Sequence, residues 1–353
     1  MSSMEKTAIL AITKNGIKIA SAIKGIFPAW QIFAPSKFAD TTDANWYDDS
    51  TTAKIAELYK NNDAVVCIFS LGAVIRLIAP HLGDKKTDPA IIVIDDKANF
   101  VISALSGHLG GANELADEIA KKLGSTAVIT TAADVNKTIP VDLVGRKFGW
   151  TIDDGSTVTK VSALMVNEEK IGVYQDAGEK DWWDGSLPKN VTVYDTIEMM
   201  EKSDSKGFLI ITDKRITGEI LKNAVVYRPK TLVVGVGLHA DTTKDKILNG
   251  LNTSLEKFGL SPKAIARFAS LKKPQDINSL IETARDFGVS VEYFEREDLA
   301  RVKIPNPSVM VEAYEGTASV SEAASILSSN GSLVVEKQKF PPDLTIAVSR
   351  IEK

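Results

Sequence analysis

Apolar and polar positions follow two rhythms along the first third of the chain. Residues 8–12, 31–33, 64–69, 91–94 and 127–129 are short, nearly continuous apolar runs. Such runs predict strands buried on both faces, since a half-exposed strand would be polar at every second position. Between them, residues 16–23 and 53–59 repeat apolar side chains three and four apart, the spacing of amphipathic helices. Buried strands alternating with helices predict a doubly wound, mainly parallel sheet.

From about residue 141 to 227 the rhythm changes to several short strands, with an aromatic-acidic segment at Asp181, Trp182, Trp183 and Asp184. A third unit opens with an apolar strand entering Gly235-Val236-Gly237. The helix after it carries Ile247, Leu248, Leu251, Leu255 and Phe258 near one face. Tyr227-Arg228-Pro229-Lys230 reads as a linker, because proline fixes its own φ and disfavours helix in the residue before it. A chain of 353 residues exceeds one ordinary core. The expected organisation is three α/β domains at 1–140, 141–229 and 230–353. Mainly parallel sheets flanked by helices are expected in the first and third.

Composition narrows the picture by exclusion. With 44% hydrophobic and 25% charged residues the chain has the make-up of a globular protein. No apolar run approaches the roughly 18 residues of a membrane span, and the N-terminus lacks the pattern of a signal peptide. Cytoplasm is therefore expected. A net charge of −4 gives no general attraction for nucleic acid or an anionic membrane. Cys67, the single cysteine, precludes an internal disulfide and lies in an apolar run, where a thiol is inert.

Four segments of the first third concentrate chemistry. In the first, a strand passes through Ser70, Leu71 and Gly72 into a helix bearing Arg76. Gly72 allows close backbone approach, and the arginine fork suits a carboxylate. The second, Lys85, Lys86, Thr87, Asp88 and Pro89, would by itself be a solvated turn. The third runs from Ser103 to Ala116 through Ser106, Gly107, His108, Gly110 and Gly111 into a helix. That helix has a core face at Ala112, Leu115, Ala116, Ile119 and Leu123, which turns Asn113 and Glu114 away from the core. This loop offers an acid or base in His108, an amide donor in Asn113, a carboxylate in Glu114 and backbone donors at Gly110 and Gly111. It is an inventory suited to adding water to an ester carbonyl. The fourth segment places Thr130, Thr131 and Asp134 after a strand, as rim hydroxyls or as a helix cap.

Together these segments resemble the CbiG family, the cobalt-precorrin-5A hydrolases. Residues 75–80 match the family's Val-Arg-Leu-Ile-Ala-Pro apart from Ile75, and residues 85–90 match Lys-Xaa-Thr-Asp-Pro-Ala. Residues 102–116 match a run centred on Ser-Gly-His-Leu-Gly-Gly-Ala-Asn-Glu, with Ala104 in place of a leucine, and 129–132 match Ile-Thr-Thr-Ala. A looser likeness spans 232–350, including residues 305–308, 319–324 and 337–339. The chain departs from the family at Ser70 and Leu71. It departs again at Leu238, His239, Ala240 and Asp241, where the family has a cysteine, two basic residues and glycine.

The resemblance implies that water opens the ring-A δ-lactone of a cobalt-corrinoid and that the two-carbon fragment leaves as acetaldehyde. It implies no cofactor and no protein metal site, because cobalt arrives within the substrate. Its expected catalytic residues are His108, Asn113 and Glu114, with His108 moving protons, Asn113 holding the oxyanion and Glu114 as the rival base. Expected substrate contacts are Gly72, Arg76, Lys85, Lys86, Asp88, Ser106, Gly107, Gly110, Gly111, Thr130 and Thr131. The expected partner is a small corrinoid, with a homodimer left open. A non-catalytic corrinoid carrier would use the same rim. A nucleotide-dependent oxidoreductase, suggested by Gly235-Val236-Gly237, lacks the third glycine at Ala240 and an evident ribose-binding acid.

Overall fold

The computed structural model describes residues 6–84, 87–108, 110–274, 277–308 and 318–352, which divide into compact units meeting between Thr138 and Ile139. The first unit is built on strands β1 (Thr7–Ala11), β2 (Gln31–Pro35), β3 (Asn45–Tyr47), β4 (Ala64–Ile68), β5 (Ala90–Ile94), β6 (Phe100–Leu105) and β7 (Thr126–Val128). They form one sheet in the order β3-β2-β1-β4-β5-β6-β7. Its helices are α1 (Lys14–Ile26), α2 (Thr51–Asn61), α3 (Leu71–Ile78), α4 (Ala112–Leu123) and the short α5 (Ala132–Val135).

The apolar runs are continuous because both sheet faces are covered. Ile9, Val66, Ile68, Ile92 and Ile94 enter one core with α1 and α4. Their neighbours Ala8, Leu10, Val65, Cys67, Ile91 and Val93 enter the other, with α2 and α3. The Cys67 thiol is fully buried there, which pushes its pKa up to about 12 and keeps it protonated.

One pairing controls where the chemistry falls. All neighbours in this sheet are parallel except β5 and β6, which are antiparallel. Ile68 lies level with Ile94, which pairs with Val101, whereas Leu105 pairs with Ile91. The carboxyl ends of β6 and β7 therefore lie on the opposite rim from those of β1 to β5. The two rims are about 13 Å apart, at roughly 3.3 Å per residue over four residues.

The second unit contains two sheets. One is ordered β10-β9-β11-β12-β8, from β8 (Thr151–Ile152), β9 (Ile171–Gln175), β10 (Val191–Tyr194), β11 (Gly207–Ile211) and β12 (Ala224–Arg228). The other is ordered β15-β14-β13-β17-β16, from β13 (Leu232–Leu238), β14 (Ile265–Leu271), β15 (Val291–Phe294), β16 (Ser332–Phe340) and β17 (Leu344–Arg350). Among the described residues its helices are α6 (Val158–Val166), α7 (Ile197–Glu201), α8 (Lys244–Lys257), α9 (Asn278–Asp286), α10 (Arg296–Ala300) and α11 (Val320–Ser329). The mainly parallel character expected of the first sheet holds. The C-terminal sheet is mixed, because β16 and β17 form a hairpin that adds antiparallel to β13.

Arg228-Pro229-Lys230 is packed rather than an exposed linker. Arg228 is 1% exposed, its Nη2 lies 2.6 Å from Asp153 Oδ2, and Nη1 donates to the Thr212 carbonyl. Pro229 fills the space above Gly178, where any Cβ would fall 2.6 Å from its ring. Gly235 and Gly237 also have a packing role. A Cβ on Gly235 would lie 1.9 Å from the Ser321 carbonyl oxygen, so the glycines let α11 press against β13. Among the described residues, no helix is long and apolar enough to cross a membrane.

Candidate active site

The loop from β6 to α4 is shaped by backbone geometry that its sequence dictates. Ser106 takes a left-handed φ of 56° and donates its hydroxyl to the Asp88 carbonyl at 2.9 Å. This ties the loop to the turn before β5. The Asp88 carboxylate in turn accepts the Gly83 N–H at 3.1 Å. Gly111 adopts φ 79° and starts α4. A Cβ at Gly107 would sit 2.5 Å from Asn113 Oδ1, and one at Gly110 would strike Ser106 at 2.4 Å. Both glycines are thus needed to fold the loop back on the helix.

This folding brings His108 to Asp134. His108 Nδ1 lies 3.4 Å from Asp134 Oδ2, on α5 beyond β7. Asn113 reaches the same carboxylate, with Nδ2 donating to Asp134 Oδ2 at 2.7 Å and to Thr131 Oγ1 at 2.8 Å. A carboxylate facing Nδ1 leaves Nε2 as the ring nitrogen turned away from Asp134. The imidazole is partly exposed.

Two expected roles change on this geometry. Asn113 was expected to face outward as an oxyanion donor, yet it is 6% exposed and both Nδ2 hydrogens are engaged. Its place is to hold Asp134 and Thr131. Of the two expected backbone donors, that of Gly111 closes on the loop itself, as do the next two N–H groups. Gly111 N–H bonds the His108 carbonyl, Ala112 N–H that of Ser106, and Asn113 N–H that of Gly107. Glu114 stands exposed on the first turn of α4.

Asp88, Ser106, Gly107, Gly110, Gly111 and Thr131 gather on the His108 rim through these contacts, and Thr130 is exposed beside Thr131. Gly72 does not join them. It opens α3 at the carboxyl end of β4, on the far rim, and Arg76 extends from that helix with Nη1 on the Gly72 carbonyl at 3.2 Å. The antiparallel β5–β6 pair is the physical reason. Lys85 and Lys86 lie outside the described residues. Two exposed apolar residues neighbour members of this group in the chain: Leu82 just before Gly83, and Val135 just after Asp134.

Asp134, which in the sequence reads as a helix cap, is instead the partner of His108. Thr131 occupies the N-cap position of α5 and makes no side-chain cap bond. The available signal was an acid just beyond the Thr-Thr block, in the segment that follows a predicted strand.

An α/β protein with a histidine–carboxylate pair held on a glycine loop is the class defined so far. Family models for the cobalamin synthesis G N-terminal region, the cobalamin biosynthesis central region and the cobalamin synthesis G C-terminus match residues 53–134, 139–229 and 232–349. The chain belongs to the cobalamin synthesis G family. It is 39% identical to a cobalt-precorrin-5A hydrolase of Priestia megaterium, covering 98% of this chain and 94% of that protein. A cobalt-precorrin-5A hydrolase of Salmonella typhimurium is 28% identical, with 94% of each chain covered. Among solved structures, a putative cobalamin biosynthesis protein G homolog from Sulfolobus solfataricus aligns with 99% of this chain and 98% of its own. That match has 22% identity and a TM-score of 0.39.

Proposed function

We propose that this protein is a hydrolase that opens the ring-A δ-lactone of cobalt-precorrin-5A and releases the two-carbon fragment as acetaldehyde, giving cobalt-precorrin-5B. The observation that carries the chemical part is the His108–Asp134 pair, braced by Asn113, in a loop matching the family motif. The substrate is supported by family membership and by the named activity of relatives aligned over nearly the whole chain. Cobalt enters as part of the substrate.

His108 Nε2 takes a proton from water as the water oxygen attacks the lactone carbonyl carbon. Collapse of the tetrahedral oxyanion breaks the ring C–O bond, and the leaving oxygen recovers the proton from the imidazolium. Asp134 steadies that imidazolium, and Asn113 holds Asp134. The freed hydroxyl then loses its proton, and the C–C bond to the macrocycle breaks as the carbonyl of acetaldehyde forms. The electron pair left on the macrocycle takes up a proton. Leu82 and Val135 give this rim an apolar border suited to the face of a flat macrocycle.

The test is anaerobic incubation of the purified protein with cobalt-precorrin-5A, measuring acetaldehyde and the mass of the corrinoid. Stoichiometric acetaldehyde with loss of the two-carbon unit is expected. A corrinoid that binds and returns unchanged would identify a carrier instead.

A further inference from the structure

The C-terminal sheet bears a cavity of about 230 Å³ that the lactone chemistry leaves unused. Segments far apart in sequence converge on it: Gly237 at the end of β13, Ser319 and Val320 at the start of α11, and Lys337 and Lys339 on β16. Lys273, just beyond β14, and His239, just beyond β13, also line it. Asn306 buttresses the group from behind. Its Nδ2 donates to Glu322 Oε1 at 2.8 Å, and its carbonyl accepts Lys337 Nζ. Glu322 is fully buried and also accepts the Lys337 N–H, which leaves it facing the scaffold. Among the described lining residues the one carboxylate, Asp343, is paired with Lys246.

Ser319 supplies an independent sign of a ligand. It is 1% exposed, lines the cavity, and its Oγ has no hydrogen-bond partner among the described residues. It stands at the N-cap of a ten-residue helix without making the usual cap bond. A buried hydroxyl without a partner is costly. The helix end beside it has N–H groups lacking intrahelical acceptors and a positive dipole. Burial lowers the Lys337 pKa and the charge of Glu322 offsets only part of it, so a further anion would be favoured there.

We propose that this cavity is a carboxylate pocket, in which an organic acid's carboxylate meets Ser319 Oγ and the start of α11, with Lys337 and Lys339 as countercharges and its aliphatic stem against Leu238 and Pro342. The volume is below the roughly 300–1,000 Å³ of whole-ligand pockets, so it takes one acidic arm or a small free acid. The arm of a corrinoid is one source and rests on the function proposed above. A free aliphatic acid is the other and does not.

The test uses the full-length protein carrying His108→Ala, which separates binding here from turnover. Titrations are made with propionate, with a corrinoid bearing free peripheral carboxylates, and with the same corrinoid as its methyl esters, followed by NMR and calorimetry. Binding weakened about tenfold by Ser319→Ala supports the pocket, as expected for one hydrogen bond to a charged group. A smaller loss is expected for Lys339→Met. Corrinoid binding that the esters lose and propionate does not reproduce identifies a macrocycle arm, whereas propionate binding alone identifies a free acid. If folded Ser319→Ala and Lys339→Met proteins bind all probes as well as their parent, or no probe binds, the proposal is overturned.

Discussion

His108 Nδ1 faces Asp134 Oδ2 across 3.4 Å, although 25 residues separate the two in the chain. The parallel pairing of β6 with β7 sets this relationship. It brings the loops that follow both strands to one rim and sets a partly exposed imidazole beside a carboxylate.

His108→Ala should reduce acetaldehyde release by about 10²–10⁴-fold, the usual value of general acid–base help. Corrinoid binding, measured by fluorescence quenching, should persist. Glu114→Gln should remain close to wild type, because that side chain is exposed on α4. The reverse pattern would make Glu114 the base.

Asp134→Asn should lower kcat by roughly 10–10²-fold with KM little changed, since a carboxylate that orients a histidine acts through it. A purely structural role would instead lower the fraction of active protein and leave kcat per active site intact. Active-site titration distinguishes the two.

Asn113→Ala should destabilise the first unit by about 1–3 kcal/mol, read as a lower urea midpoint, because a buried hydrogen-bonding group is lost. Activity should fall with it, through Asp134. An activity loss of 10²–10³-fold at unchanged stability would restore Asn113 as an oxyanion donor.

In the second unit, Asp213 is fully buried and takes Arg350 in two bonds of 2.7 Å and the Thr231 hydroxyl at 2.9 Å. Asp213→Ala should cost about 3 kcal/mol, the low end for breaking a buried pair, because Arg350 keeps some access to water. Denaturant unfolding of this unit measures it, and an unchanged midpoint would refute it.

Acid should weaken the same unit. Burial raises the Asp153 carboxyl pKa, but the hydrogen bond and charge of Arg228, with help from Lys263, outweigh it and hold the pKa below the ordinary carboxylate range. Its stabilising effect is present above the unfolded value of about 3.9 and is lost as pH falls through the lower folded value. Asp153→Asn should therefore flatten the loss of stability below about pH 4. An identical acid limb in both proteins would contradict this.

The sequence by itself determined what neighbouring residues can settle. Buried strands appear as continuous apolar runs because both sheet faces are covered. The Gly107–Gly111 turn is legible because only glycine fits those approaches, and the motif order carried the family. What lay beyond reach was the pairing of distant segments. Whether β6 runs with or against β5 is invisible in either strand, yet it separates Gly72 from His108. Asn113 occupies an outward position on a helical wheel. It is buried only because α5 and Thr131 cover that side of α4. Asp134 and the Ser319 cavity were likewise decided by tertiary structure, since hydrogen bonds and helix approach depend on which surfaces meet in space.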